Sequence, residues 1–208
     1  VRDIGDFDAI IFDLGGVILN IDHDAPVRAF AKLGIPDFER YYSKISQSSL
    51  FVDLETGAIS PDTFRNRLRE NLPVDLSDEV IDEAWNSILL DFPEERIRLL
   101  ERLQNEYRVF LLSNTNVIHF HIFSQRLKAR YGYSQLSELM EKTYYSHEVG
   151  MRKPDLRIFH HVISDAHLEP ERTLFIDDSE QHIVAAKQAG LRTYHLKDGD
   201  SIIRLFNK

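Results

Sequence analysis

The sequence predicts an α/β fold: a parallel sheet flanked by helices, with an all-helical segment inserted after the first strand. Two patterns and one gap predict it. Short apolar runs without polar alternation mark strands buried on both faces. Longer stretches with helical spacing separate those runs, as parallel crossovers require. The gap is a long stretch, 21–92, that contains no convincing strand.

The elements follow in order. Residues 9–12 (Ala-Ile-Ile-Phe) read as a buried strand running into Asp13. In the inserted stretch, Ser60-Pro61-Asp62 offers an N-cap, a proline at the first helical position and an early acid. Ser77-Asp78-Glu79 offers a second N-cap with acids in the first turn. Residues 21–92 hold 14 acids and 7 bases, against near balance elsewhere, so they form a unit of distinct composition. The expected division is therefore 1–20 with 93–208 as one α/β domain, and 21–92 as a helical domain. Beyond it, 93–106 reads as a helix and 108–112 as a strand running into Ser113-Asn114. Residues 117–131 and 155–166 are helical in pattern, and 173–176 is a strand running into Asp177-Asp178. A helix over 179–189 ends at Gly190, and 191–196 reads as the last strand. The whole is a Rossmann-like parallel sheet with a helical insertion.

Composition narrows the function. The 208 residues suit one domain with an insertion, and 43% hydrophobic with 28% charged residues is the balance of a globular chain. Cysteine is absent, which removes disulfides, thiol nucleophiles and Cys-based metal sites and fits a reducing compartment, here the cytoplasm. A net charge of −9 repels nucleic acid and anionic lipid, so neither is an expected partner. No basic segment followed by an apolar run opens the chain, and no apolar run is long enough for a membrane span.

The polar residues at the strand ends carry the chemistry. In open α/β sheets ligands bind in the crevice at the carboxyl edge. That edge would gather Asp13, then Ser113 with Asn114, then Asp177 with Asp178. Lys153, in a loop just before a helix, could reach the same crevice. Three acids with one lysine and one serine suggest a divalent cation and an anionic substrate. Mg2+ takes one or two carboxylates and completes its shell with waters and phosphate oxygens. A carboxylate can also attack phosphorus, provided cations screen the repulsion.

Four segments in order resemble the motifs of the haloacid dehalogenase (HAD) superfamily: Phe12-Asp13-Leu14-Gly15-Gly16-Val17, Leu111-Leu112-Ser113-Asn114, Gly150-Met151-Arg152-Lys153-Pro154-Asp155 and Phe175-Ile176-Asp177-Asp178. The resemblance spans essentially the whole chain, and a helical insert after the first motif is similar to the C1-type cap. It implies that Asp13 is the nucleophile and a metal ligand, with the Gly15 backbone carbonyl, Asp177 and Asp178 completing the protein's share of the Mg2+ shell. It implies phosphate binding by Ser113 and Lys153, with Asn114 supporting that loop and grouped with them. The implied activity is Mg2+-dependent hydrolysis of a small phosphorylated metabolite, a sugar phosphate, through an aspartyl-phosphate. The form Asp-Leu-Gly-x-Val resembles a subset that includes bacterial phosphatases of the α-glucose-1-phosphate type.

Two departures carry expectations. Most HAD phosphatases have a second acid where Gly15 stands, so the leaving group here lacks its usual proton donor. Anomeric 1-phosphates, whose leaving oxygen needs less help, are therefore expected over primary esters. His182 stands where an asparagine often follows the fourth motif. Asp22, His23 and Asp24, where the chain enters the insertion, read as a hinge ahead of a substitute acid/base. His119, His121, His160 and His161 lack metal-ligand spacing and read as surface or packing residues, and Tyr41, Tyr42 and Trp85 as core or interface. Two rival readings stay open: a metal-free dehalogenase, against which the paired acids count, and a catalytically weakened binding protein.

Overall fold

The computed structural model describes residues 7–38, 49–197 and 199–206. Tyr41 and Tyr42 lie outside the described residues. Five parallel strands form one sheet in the order β3-β2-β1-β4-β5: β1 (Ala9–Phe12), β2 (Arg108–Ser113), β3 (Lys142–Tyr145), β4 (Thr173–Asp177) and β5 (Arg192–His195). β1 is central and every residue of it is buried, which explains its unalternated apolar run. Ile10 and Phe12 enter the apolar layer on one face, and Ala9 and Ile11 the layer on the other. The strand spacing of two residues produces that split.

Four of the five strands lie where the sequence pattern puts them. β3 is the addition. It is a four-residue edge strand, Lys-Thr-Tyr-Tyr, whose first two residues are not buried. Its apolar signal is too short to stand out. The helix over Val117–Tyr131 begins at Asn116, whose side chain accepts from the His119 N–H, and it ends at Gly132 in the left-handed region.

Between β1 and β2 the described residues form helices Ala25–Lys32, Leu50–Glu55, Pro61–Asn71 and Asp78–Asn86, followed by Glu94–Leu103. Ser60 and Ser77 cap two of these helices as expected, accepting from Thr63 and Val80 N–H. Phe30, Phe51, Phe64 and Trp85 pack with Ile118 of the helix Val117–Tyr131 into a third apolar cluster. The chain enters and leaves this unit as an antiparallel pair. Ile21 bridges Leu89, Asp22 N–H donates to Ile88, and Leu90 N–H donates to Asn20.

The helical unit is seated on the sheet domain at Gly57. This residue has φ +67°, and a Cβ there would lie 2.3 Å from the His147 carbonyl oxygen. Replacing it with alanine adds left-handed strain of about 1–2 kcal/mol to that backbone clash. Gly57→Ala is therefore expected to destabilise the protein by about 2 kcal/mol or more in urea unfolding. A loss below about 0.5 kcal/mol would show that the contact at His147 is not formed in solution.

Candidate active site

The carboxyl ends of β1 and β4 gather the acids, and that of β2 supplies Ser113 and Asn114. Asp13 follows β1, and its N–H donates to the Ile176 carbonyl at 2.9 Å, so the sheet itself sets its position. Asp177 is the last residue of β4 and Asp178 follows it. One carboxylate oxygen from each of Asp13, Asp177 and Asp178 can be chosen so that all lie within 4.8 Å of one another.

Lys153 is the centre of this arrangement. It is fully buried, and its Nζ donates to Asp13 Oδ1 at 2.7 Å and to Asp177 Oδ2 at 2.6 Å. Its loop is pinned by Asn114, whose Nδ2 donates to the Lys153 carbonyl at 2.8 Å and whose Oδ1 accepts from the Lys153 N–H at 2.9 Å. Asn114 thus holds the lysine loop through its backbone. Ser113 Oγ makes one weak contact, 3.5 Å to the Asn114 carbonyl, which leaves the hydroxyl for a ligand. His182 Nδ1 donates to Asp177 at 3.0 and 3.1 Å. Gly16 makes the close packing possible. At φ +73°, its missing Cβ would lie 2.1 Å from Asp178 Oδ2. At Gly15 a Cβ would meet Ile21 Cδ1 at 3.1 Å, a tight contact with the end of an apolar side chain.

One ammonium cannot neutralise three carboxylates. Burial works against ionised Asp177, but Lys153 and His182 outweigh it and hold the group at about 2. For Asp13 burial dominates, Lys153 opposes it, the negative Asp177 adds to it, and the group is pushed up to about 7. Burial and Asp177 also raise Asp178. Burial opposes the charge of Lys153, but the two aspartates beside it raise its pKa. The donor set therefore fits a divalent cation: hard oxygen ligands, with more carboxylates than the one lysine can neutralise.

The folded, metal-free protein keeps a proton on Asp13 that the unfolded chain releases above the ordinary value of 3.8. By linkage, its contribution to stability falls as pH rises from about 4 to about 7 and is level beyond. In EDTA, wild type should lose stability relative to Asp13→Asn across that window, and Mg2+ should abolish the difference in slope. Parallel curves in EDTA would contradict this electrostatic account.

A cavity of about 490 Å³ opens over these residues. Besides Asp13, Ser113 and Asp178, its walls include Glu55, Trp85, His119, Arg152 and His23. Glu55 faces Arg152 at 3.1 Å, a second tie between the helical unit and the sheet domain, and burial raises the Glu55 carboxyl while Arg152 opposes that. Of the three residues at the entry to the insertion, His23 alone is in the cavity wall. Asp22 pairs with Arg28 and accepts from the Asp24 N–H, which is a structural role.

Trp85 is a core residue, as its pattern reads, and the reading of His119 as a surface or packing residue is incomplete. Both are buried, and both line the cavity. The available signal was position: His119 lies in the first turn of the helix after β2, which starts at the ligand edge of the sheet.

A family model described as a haloacid dehalogenase-like hydrolase matches residues 7–190. The chain is 34% identical to a D-ribitol-5-phosphate phosphatase of Bacteroides thetaiotaomicron over 192 residues, covering 91% of this chain and 92% of that protein. It is 26% identical to the sesquiterpene phosphatase astK of Aspergillus oryzae, covering 92% of this chain and 91% of that one. A HAD family enzyme of Bacteroides thetaiotaomicron, solved with magnesium and inorganic phosphate, superposes with a TM-score of 0.89 at 37% identity, covering 97% of this chain and all of that one.

Proposed function

The chain belongs to the haloacid dehalogenase-like hydrolases, and we propose that its strand-end carboxylates act as a nucleophile and a metal site for phosphate ester hydrolysis. It is a Mg2+-dependent phosphomonoesterase acting on a small phosphorylated metabolite of the sugar-phosphate class. The observation that carries the assignment of roles is the bridge from Lys153 to Asp13 and Asp177, with Asp178 beside them.

Asp13, Asp177, Asp178 and the Gly15 carbonyl would hold the ion, which when bound screens the charge between carboxylate and phosphate. A carboxylate oxygen of Asp13 attacks phosphorus, the bond from phosphorus to the ester oxygen breaks, and the alcohol leaves with a proton. Water then hydrolyses the aspartyl-phosphate and restores Asp13. Lys153 holds Asp13 in place, favours its ionised form against burial, and offers positive charge to the phosphoryl oxygens. Ser113 Oγ donates to one of those oxygens. Asn114 positions the Lys153 loop. The helical unit over 21–92 acts as a cap that limits water over the site, with 1–20 and 93–208 as the catalytic domain; the paired crossing at Ile21 and Leu89 supports that division.

D-ribitol 5-phosphate is an open-chain ester without an anomeric centre. Its phosphatase, 34% identical to this chain, thus handles a leaving group that the absence of an acid at Gly15 ranks low. We therefore propose that a proton donor outside position 15 serves the leaving group, and that primary esters are accepted. No helix among the described residues is long and apolar enough to cross a membrane. The proposed compartment is the cytoplasm, in keeping with the lack of cysteine, and the net charge of −9 argues against nucleic acid or anionic lipid as partner.

The test is turnover of a panel of phosphorylated metabolites with Mg2+ and with EDTA. Open-chain and cyclic sugar phosphates should be hydrolysed only with the metal. Release of halide from 2-haloacids without metal, and no phosphate release, would overturn the reading.

A further inference from the structure

We infer that His119 is a specificity-determining residue: its ring, fixed as the neutral Nδ1–H tautomer, presents Nε2 to the cavity as an acceptor for a hydroxyl of the substrate's alcohol portion. The inference rests on the phosphatase reading for its substrate, though its geometry does not depend on it.

The ring is constrained on two sides. Nδ1 lies 2.8 Å from Asn86 Oδ1, an atom that can only accept, so Nδ1 carries the proton. One face stacks on the Trp85 indole, with centroids 5.4 Å apart and planes 17° from parallel. Trp85 and Asn86 belong to the last helix of the insertion, and His119 to the helix after β2, so the ring spans the joint between the two units. The backbone N–H of His119 is tied to the Asn116 cap. Among the described residues Nε2 makes no hydrogen bond, and His119 is part of the cavity wall. Burial drives the imidazole down to about 3, which removes the charged form at working pH. A neutral ring with a bare Nε2 cannot attract phosphate by charge and cannot donate a proton. It accepts a hydrogen bond, and a hydroxyl is the group that supplies one. Asn86 is then a positioning residue that sets the tautomer.

The experiment compares kcat/KM for an open-chain alditol phosphate with that for 4-nitrophenyl phosphate, which carries no hydroxyl on its leaving group. His119→Phe keeps the ring on Trp85 and removes the acceptor, and the alditol-to-aryl ratio should fall about tenfold or more, chiefly through KM. An unchanged ratio would overturn the inference. A second arm uses 15N-histidine spectra of Asp13→Asn protein. The His119 Nε2 resonance should report an unprotonated nitrogen and move when alditol phosphate is added, but not with inorganic phosphate alone. A protonated Nε2, no movement, or equal movement with phosphate would each sink it. If wild type hydrolyses neither ester with Mg2+, the phosphatase reading fails, and the spectra still decide the role of His119.

Discussion

Asp13→Asn is expected to reduce turnover of every phosphate ester by about 10⁴-fold or more, because the covalent step has no other nucleophile. The substitution keeps the shape of the side chain and the Asp13 N–H bond to Ile176, so the sheet edge stays intact. It removes the charge that attacks phosphorus and one of the two anions on Lys153. Loss of activity with an unchanged or improved melting temperature in EDTA would separate chemistry from folding. Retention of even a tenth of wild-type turnover would place the nucleophile elsewhere.

Lys153→Met should be the most damaging change for stability in the site. The ammonium is fully buried, and it is the cation both Asp13 and Asp177 contact. Taking it away leaves two buried carboxylates without their partner, and breaking such a pair costs about 3–5 kcal/mol. Urea unfolding in EDTA at pH 7.5 should show a loss of that size. Added Mg2+ should recover part of it by supplying positive charge to the same oxygens. Lowering the pH towards 5 should also narrow the gap, since without the lysine the aspartates can fold protonated. A loss under about 1 kcal/mol in EDTA would mean that the ion pair geometry is not that of the folded protein. Activity should fall with stability at saturating Mg2+, because the phosphoryl oxygens lose the same charge.

These two experiments address residues about 140 positions apart in the chain, and their partnership shows where sequence reading stops. Asp13, Ser113 and the pair Asp177-Asp178 were legible because each follows an apolar run that could be little else than a buried strand. Their polar chemistry stands out against that background, and the order of the four motifs carries the family. The capping serines, the span of the helix over Val117–Tyr131 and the helical character of the insertion were legible for the same reason: all are set by local backbone geometry.

Tertiary structure decided what depends on elements meeting. The third motif named Lys153, but its burial between two aspartates belongs to the fold, in which Asn114 also fixes its backbone. β3 exists because β2 offers it an edge, and its own four residues are too weak a signal. Glu55, Trp85 and His119 enter the cavity because the insertion folds back over the sheet, where Gly57 lets its backbone touch His147. The sequence by itself determined four of the five strands and the acids at their ends, since burial period and charge are properties of neighbours in the chain. The tertiary structure alone decided which acid keeps its charge, which histidines line the cavity and what stands against Gly15, since desolvation and partnership belong to residues that meet only in the folded protein.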